Sequence, residues 1–205
     1  MARSCSTSVS SASSSLTDAL RGVLLDPAAA TRLPVHGRTE AAVLVTLYRE
    51  LGDLYAIFTR RRHDLRSHPG EISFPGGRRD DGETDLSTTA LREAEEEIGL
   101  AREDVQLLGA LTPVPTVATN FAVYPVVGLI EPGATWTPSA GEVDEVIELR
   151  LADLRAARAR RRLVHRGIAF RTDVYDVGEQ LVIWGATARI VSDLLSRVDP
   201  LLDAG

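Results

Sequence analysis

The sequence predicts a compact α+β or α/β sandwich. Runs of strand composition and amphipathic helical runs are mixed along the chain, without the regular alternation of a parallel α/β protein. The chain has 205 residues, of which 44% are hydrophobic and 25% charged, as is usual for a globular protein with a substantial core. No internal repeat or long linker divides it. We therefore expect one domain over residues 16–205, after a Ser-rich segment 1–15 that we expect to be disordered.

A helix and a β-hairpin are predicted first. Leu and Val recur at helical spacing over residues 16–25, and Pro27 closes that segment. Two runs rich in β-forming residues, 40–49 and 54–60, flank the short stretch 50–53. This arrangement predicts two antiparallel strands joined by a tight turn.

The strongest helix prediction covers residues 86–98, after a turn at Pro75-Gly76-Gly77. Asp85 is suited to the N-cap, because its side chain can accept a free N–H group of the first helical turn. Gly99 follows the last helical residue, where a left-handed backbone conformation is common.

The rest of the chain predicts further strands and two more helical segments. In order, these are strands over 105–111, 122–130 and 143–149, a short Arg-rich helix over 151–162, strands near 164–177 and a closing helix over 183–197.

The composition excludes several kinds of chemistry. All 23 basic residues are Arg, so neither a Schiff-base lysine nor a P-loop lysine is present. Cys5 is the only cysteine, which excludes a disulfide framework and a Cys-based zinc site. The net charge of −6 argues against non-specific nucleic-acid binding. No apolar run reaches the roughly 18 residues that span a bilayer. We therefore expect a cytoplasmic protein that binds neither nucleic acid nor membranes.

The predicted helix over 86–98 places three carboxylates on one face. Each helical residue turns by about 100°, so Glu93, Glu96 and Glu97 fall within a sector of about 100°. Like charges this close raise one another's pKa and favour a bound cation, and ligands with only oxygen donors suit Mg²⁺ or Mn²⁺. Arg92, four residues before Glu96, can hold that carboxylate in place. The pattern alone leaves a solvated acidic helix face as the alternative.

The stretch from Gly77 to Leu100, GRRDDGETDLSTTALREAEEEIGL, resembles the Nudix box, G-x5-E-x7-R-E-U-x-E-E-x-G-U, where U is apolar. The second half matches at every position. The first half is one residue longer than the consensus, so Glu83 keeps its distance from Gly77 but not from Arg92. We therefore assign no role to Glu83.

The segment before the box resembles the signature of the coenzyme A pyrophosphatase branch of Nudix hydrolases, L-L-T-x-R-[S/A]-x3-R-x3-G-x3-F-P-G-G. It covers residues 57–77, IFTRRRHDLRSHPGEISFPGG. The matching positions are Thr59, Arg61, Arg66, Gly70, Phe74, Pro75, Gly76 and Gly77. Ile57-Phe58 replace the two leucines, and Arg62 stands where a small residue is expected. The longer box is usual in this branch, and the likeness extends over residues 36–196.

The resemblance implies a Nudix fold, with a mixed central sheet flanked by helices. It implies hydrolysis of the diphosphate of coenzyme A and its derivatives, with Mg²⁺ or Mn²⁺, to 4′-phosphopantetheine and adenosine 3′,5′-bisphosphate. Glu93 and Glu97 are the expected metal ligands. Glu96 is either a further ligand or, through water, the general base, and Arg92 is its catalytic partner. The residues expected to bind substrate are Arg61, Arg66, His68, Gly70, Gly76 and Gly77.

Two other functions stay open. The same fold can act on ADP-ribose, a dinucleotide or a nucleoside triphosphate, or it can bind a nucleotide as a non-catalytic regulator. The complete set of carboxylates argues against the regulator, because a binder needs no such concentrated negative charge. The run Arg155–Arg166 can attract the 3′-phosphate of coenzyme A, but a solvated helix face is favoured. The expected partner is a small-molecule substrate, and the expected assembly is a monomer or a homodimer.

Overall fold

A mixed sheet lies at the centre of the structure, a computed structural model that describes residues 8–64, 70–116, 119–165, 167–178 and 181–202. The helices are α1 (Ser8–Val23), α2 (Pro27–Ala30), α3 (Leu86–Ile98), α4 (Leu151–Ala156) and α5 (Gly185–Leu202), with a 3-10 turn at Arg102–Asp104. The strands are β1 (Thr39–Glu50), β2 (Asp53–Arg61), β3 (Ile72–Ser73), β4 (Gly76–Arg78), β5 (Gln106–Ala110), β6 (Val114–Pro115), β7 (Phe121–Leu129), β8 (Val143–Arg150), β9 (Arg158–His165), β10 (Ile168–Asp176) and β11 (Val182–Ile183).

The central sheet combines parallel and antiparallel pairing. Its strand order is β3-β2-β1-β7-β5, and β4 pairs with β1, β6 with β7 and β8 with β2. β1 and β7 run parallel, from Thr39 opposite Phe121 to Leu47 opposite Leu129. β1 and β2 form the predicted antiparallel hairpin. The mixed sheet with flanking helices confirms the predicted fold class.

β1 is apolar on both faces because helices cover both sides of the sheet. Val45 and Leu47 belong to a hydrophobic cluster that includes Leu194 of α5. Ala42 and Leu44 belong to a second cluster, which includes the buried residues of α3. Since successive side chains of a strand point to opposite faces, α3 and α5 pack on opposite sides of the sheet.

α3 begins and ends where the sequence predicts. The Asp85 carboxylate accepts the Thr88 N–H at 2.9 Å and caps the first turn. Gly99 adopts φ 72°, and its N–H donates to the Glu95 carbonyl at 3.0 Å. The two caps and the apolar stripe fix the rotation of the helix, and thus the direction of its carboxylates.

Both terminal helices are longer than predicted. α1 begins at Ser8, so residues 8–15, which we expected to be disordered, are helical. They continue a helix whose apolar side packs on the core. α5 begins at Gly185 because Ile183 pairs in β11, and it extends to Leu202. In the described part of the chain, no helix is both long and apolar enough to cross a membrane.

The Arg-rich segment is a strand, which corrects the helix predicted over 151–162. The helical part ends at Ala156, and the arginines that follow lie in β9, which pairs with β10 in a separate three-stranded sheet. Arg158 forms an ion pair with Asp173 across the two strands, at 2.9 Å. Partners distant in sequence thus override the local helical pattern.

Candidate active site

The turn predicted at residues 75–77 leads into β4, which lies between β1 and the carboxylates of α3. β4 pairs antiparallel with β1, with Gly76 opposite Val43. The Gly76 N–H donates to Glu97 Oε2 at 3.3 Å. A Cβ atom added to Gly77 would lie 2.4 Å from Glu93 Oε1. Gly77 therefore makes room for the Glu93 carboxylate, and Gly76 supplies a backbone donor to Glu97 and lets β4 approach β1 closely.

Glu93 and Glu97, the two expected metal ligands, lie together and are largely buried. Their side chains are 16% and 7% exposed. Burial, and then the neighbouring charge of Glu93, raise the pKa of Glu97 to about 8, against the opposing Gly76 N–H. Burial also raises the pKa of Glu93, although Arg92 opposes this effect. The pair therefore needs additional positive charge to be fully ionised near neutral pH.

Arg92 holds the carboxylates of the site in place. Its guanidinium contacts Glu83 Oε1 and Glu93 Oε1, each at 2.9 Å, and Glu96 Oε2 at 3.1 Å. It also donates to the Arg78 carbonyl at 3.1 Å. The predicted contact between Arg92 and Glu96 is thus present. With its donors engaged in this way, Arg92 is placed to orient Glu93.

Glu83, to which the sequence analysis assigned no role, anchors Arg92. Its carboxylate accepts hydrogen bonds from Arg92 Nε at 2.9 Å, from Thr89 Oγ1 at 2.6 Å and from the Asp80 N–H at 2.9 Å. Burial opposes its ionisation, but the hydrogen bonds outweigh burial and lower the pKa of Glu83 to about 2.

The extra residue of the box therefore does not displace Glu83. It lies after Glu83, where the chain runs to the N-cap Asp85, and Arg79 Nη2 holds this link by donating to the Glu83 carbonyl at 2.8 Å. The spacing from Gly77 to Glu83, which matches the Nudix-box consensus, was the signal that the sequence offered for this residue.

Glu96 lies at the outer edge of the site. Its side chain is 58% exposed, and Arg92 binds its carboxylate. Among the described residues, no three His, Cys, Asp or Glu side chains converge closely enough to hold a metal ion. The structure therefore brings together two of the three predicted metal ligands and leaves Glu96 facing solvent.

Arg61 and Glu142 lie at the other side of the pair. Arg61 is the last residue of β2, and its Nη1 lies 4.0 Å from Glu97 Oε1 and 4.0 Å from Glu142 Oε2. The arginine that we predicted to bind phosphate thus lies beside the Glu93–Glu97 pair. Glu142 was missed by the sequence analysis, because it lies in no motif and comes close only through the pairing of β8 with β2.

The remaining substrate-binding predictions concern the segment after β2. The Gly70 N–H donates to the Arg61 carbonyl at 3.1 Å, and Gly70 adopts φ 70°. Gly70 therefore shapes the return of the chain to β2. Arg66 and His68 lie outside the described residues, and their roles stay predictions.

The described arginines of the predicted run after Ala156 lie in β9, which pairs with β10, whereas Arg155 lies in α4 and Arg166 lies outside the described residues. Arg158 and Arg161 form ion pairs with Asp173 and Asp176 of the opposite strand. The solvated helix face that the sequence analysis favoured for this run is therefore wrong for the residues after Ala156.

The Glu93–Glu97 pair fits a hard divalent cation. Both residues offer only carboxylate oxygens, both are buried, and both have a raised pKa. Mg²⁺ commonly binds through one or two carboxylates, with water and substrate phosphate completing its coordination. The absence of a third converging carboxylate among the described residues agrees with this mode of binding.

Comparisons with known proteins identify the family. The model of the NUDIX domain family matches residues 38–169. The chain is 38% identical over 166 residues to the protein named Uncharacterized Nudix hydrolase NudL of Pectobacterium atrosepticum, which covers 80% of this chain and 85% of that protein. It is 36% identical over 169 residues to a protein of the same name from Escherichia coli, which covers 78% of this chain and 82% of that protein.

A solved structure shares the fold. The crystal structure of a MutT/nudix family protein from Enterococcus faecalis matches with a TM-score of 0.52 at 17% identity, covering 82% of this chain and 65% of that chain. At this identity the likeness concerns the fold alone. The family match spans more than half of the chain and includes β1, β4 and α3, which build the site. The chain therefore belongs to the Nudix hydrolase family, whose members generally use divalent metal ions, and it is a pyrophosphatase.

Proposed function

We propose that this protein hydrolyses the diphosphate of coenzyme A and its derivatives, with Mg²⁺ or Mn²⁺, to 4′-phosphopantetheine and adenosine 3′,5′-bisphosphate. One observation carries the proposal. The two ends of the branch-specific signature, Arg61 and Gly76-Gly77, both lie against Glu93 and Glu97. The residues that suggest the substrate thus belong to the same site as those that suggest the metal.

In this proposal Glu93 and Glu97 bind the divalent cation, and Arg92, anchored by Glu83, holds Glu93 in position. The bound cation would lower the pKa of a water molecule and offset the charge of the diphosphate. Attack of a water molecule on one phosphorus would break the P–O bond of the anhydride, and the other phosphate would leave with the bridging oxygen. Glu96 is exposed to solvent, so its carboxylate is the candidate acceptor for the proton of the attacking water.

The diphosphate needs donors as well as a cation. Arg61 presents a planar guanidinium at the edge of the carboxylate pair, and guanidinium groups bind phosphate oxygens through two parallel N–H bonds. Gly76 and Gly77 lie in β4 against Glu97 and Glu93, so backbone groups of this strand border the site. A regulator that only binds a nucleotide is disfavoured, because burying Glu93 and Glu97 together costs stability that binding alone does not require.

A substrate panel tests the proposal. Coenzyme A, dephospho-coenzyme A, ADP-ribose, NADH and a deoxynucleoside triphosphate are incubated with the protein and Mg²⁺ or Mn²⁺, and products are identified by mass spectrometry. We expect the highest kcat/KM for coenzyme A, with 4′-phosphopantetheine as product. A higher kcat/KM for ADP-ribose, NADH or the triphosphate would overturn the proposal that coenzyme A is the substrate. Binding of a nucleotide without turnover of any would support the regulator.

A further inference from the structure

The turn before β8 adds a carboxylate to the site from outside the box. Glu142 faces the Glu93–Glu97 pair across the Arg61 guanidinium, which lies 4.0 Å from Glu142 and 4.0 Å from Glu97. The charge of Glu142 disfavours ionisation of both Glu93 and Glu97. Arg61 therefore lies between two carboxylates, Glu97 and Glu142, that compete for its positive charge.

The Arg61 guanidinium is shared between these two carboxylates and is hydrogen-bonded to neither. A distance of 4.0 Å is longer than a hydrogen bond, so each contact is an ion pair without directional bonding. Within the described residues, the guanidinium makes no hydrogen bond. The backbone is fixed, since the Arg61 N–H donates to the Glu71 carbonyl at 3.0 Å. The side chain can thus shift between its two partners while the strand stays in place.

Glu142 is held in position by its backbone. The Arg62 N–H donates to the Glu142 carbonyl at 3.0 Å, and the Glu142 N–H donates to the Ser139 carbonyl at 3.0 Å. The Ser139 N–H in turn donates to the Glu97 carbonyl at 2.8 Å, which ties this turn to α3. The Glu142 side chain is 55% exposed, so its carboxylate lies on the solvent side of Arg61, whereas Glu97 lies on the buried side.

We propose that Glu142 is a positioning residue. When a divalent cation binds to Glu97, Glu142 becomes the ion-pair partner of Arg61 and thereby holds Arg61 toward the diphosphate. The inference rests on the metal site of the proposed function. A cation at Glu97 neutralises that carboxylate and repels the guanidinium. Glu142 is the carboxylate that remains beside Arg61, and it holds the guanidinium on the solvent-exposed side of the site.

Mn²⁺ binding without substrate tests this inference, measured by electron paramagnetic resonance of free Mn²⁺. Arg61→Gln should tighten Mn²⁺ binding about threefold to fivefold, because it removes a competing, partly exposed ion pair. Glu142→Gln should weaken Mn²⁺ binding by about the same factor, because Arg61 then stays on Glu97. In the Arg61→Gln background, Glu142→Gln should leave Mn²⁺ affinity nearly unchanged.

The Mn²⁺ affinity of the double variant distinguishes an effect through Arg61 from a direct effect of Glu142. An equal loss of Mn²⁺ affinity from Glu142→Gln in both backgrounds would mean that Glu142 acts on the metal directly, and it would overturn the inference. No loss in either background would overturn it as well. At saturating Mn²⁺, Glu142→Gln should also raise KM for the diphosphate substrate when Arg61 is present and leave it unchanged when Arg61 is absent.

Two controls separate this inference from the proposed function. Glu145→Gln makes the same chemical change on β8, where Glu145 pairs with Arg60 at 2.7 Å, and it should not change Mn²⁺ affinity. Glu97→Gln should abolish Mn²⁺ binding at the site. If Glu97→Gln binds Mn²⁺ like the wild type, the proposed metal site fails. If Glu97→Gln loses Mn²⁺ while Glu142→Gln does not, only the role of Glu142 fails.

Discussion

At the scale of single residues, the site places two kinds of glutamate side by side. Glu83 is 11% exposed, yet three hydrogen-bond donors bind it and lower its pKa to about 2. Glu97 is similarly buried, has one such donor, and has a pKa raised to about 8. Glu83 is thus an anion at any physiological pH and suits an anchor. Glu97 is largely protonated at neutral pH unless a cation binds, which suits a metal ligand.

Glu97→Gln should abolish turnover while the fold stays intact. The amide cannot serve as an anionic ligand, and we expect kcat/KM to fall by at least about a hundredfold. Kinetics at saturating Mg²⁺ and the melting temperature measure the two effects. Glu95→Gln is the matched control, because Glu95 lies on α3 but pairs with Arg102 at 2.7 Å. Near wild-type turnover in Glu97→Gln would remove Glu97 from the site.

Glu83→Gln should lower both activity and stability. The buried Arg92 loses a charged partner, which should reduce the free energy of unfolding by about 2 kcal/mol at pH 7. Because the folded pKa of Glu83 is about 2 and its ordinary value is 4.5, its contribution is complete above pH 4.5 and lost as pH falls toward 2. Urea unfolding of wild type and Glu83→Gln should therefore show a difference in the free energy of unfolding that becomes smaller below pH 4.5.

A control and a contrary outcome complete this test. Glu40→Gln removes an exposed ion pair with Arg79 and should cost less than about 1 kcal/mol. If the free energies of unfolding of wild type and Glu83→Gln differ by a constant amount from pH 7 to pH 3, the Glu83 charge does not anchor Arg92.

At the scale of elements, the site depends on the close approach of β4 to α3. Gly77→Ala should disturb it, because the added Cβ would lie 2.4 Å from Glu93 Oε1 and the carboxylate must move. Misplacement of a catalytic group by about 1 Å can cost about a hundredfold in rate, so we expect kcat/KM to fall at least about tenfold. Gly22→Ala in α1, where the added Cβ meets no atom, should retain full activity.

At the scale of the whole molecule, stability should depend on pH and metal together. The folded pKa of Glu97 is about 8 and its ordinary value is 4.5, so the folded state binds a proton that the unfolded state has lost. The metal-free protein should therefore lose stability as pH rises from 4.5 through 8. Divalent cation, which binds the ionised form, should restore stability most at the high end of this range.

Thermal unfolding from pH 5 to pH 9 measures this effect, with EDTA or with Mg²⁺ present. The melting temperature of wild type in EDTA should fall with pH more steeply than that of Glu97→Gln, and Mg²⁺ should remove most of the difference. Parallel pH profiles for the two proteins in EDTA would contradict a raised pKa at Glu97.

Features whose causes lie within a few residues were predictable from the sequence. The bounds of α3 follow from Asp85, Gly99 and the apolar spacing between them, and all these contacts lie within a few residues. The hairpin of β1 and β2 follows from two β-rich runs and a short turn. The common face of Glu93 and Glu97 follows from helical geometry alone. In these elements the tertiary contacts agree with the short-range pattern, so the prediction holds.

The partners that these residues meet became known only from the fold. Glu83 became an anchor through Arg92 and Thr89, although its spacing departs from the consensus. Glu142 reached Arg61 because β8 pairs with β2, more than eighty residues away. The arginines of β9 became strand residues through pairing with β10. In each case the deciding interaction joins segments that the local sequence cannot relate, because hydrogen bonding and burial between distant elements outweigh intrinsic propensity.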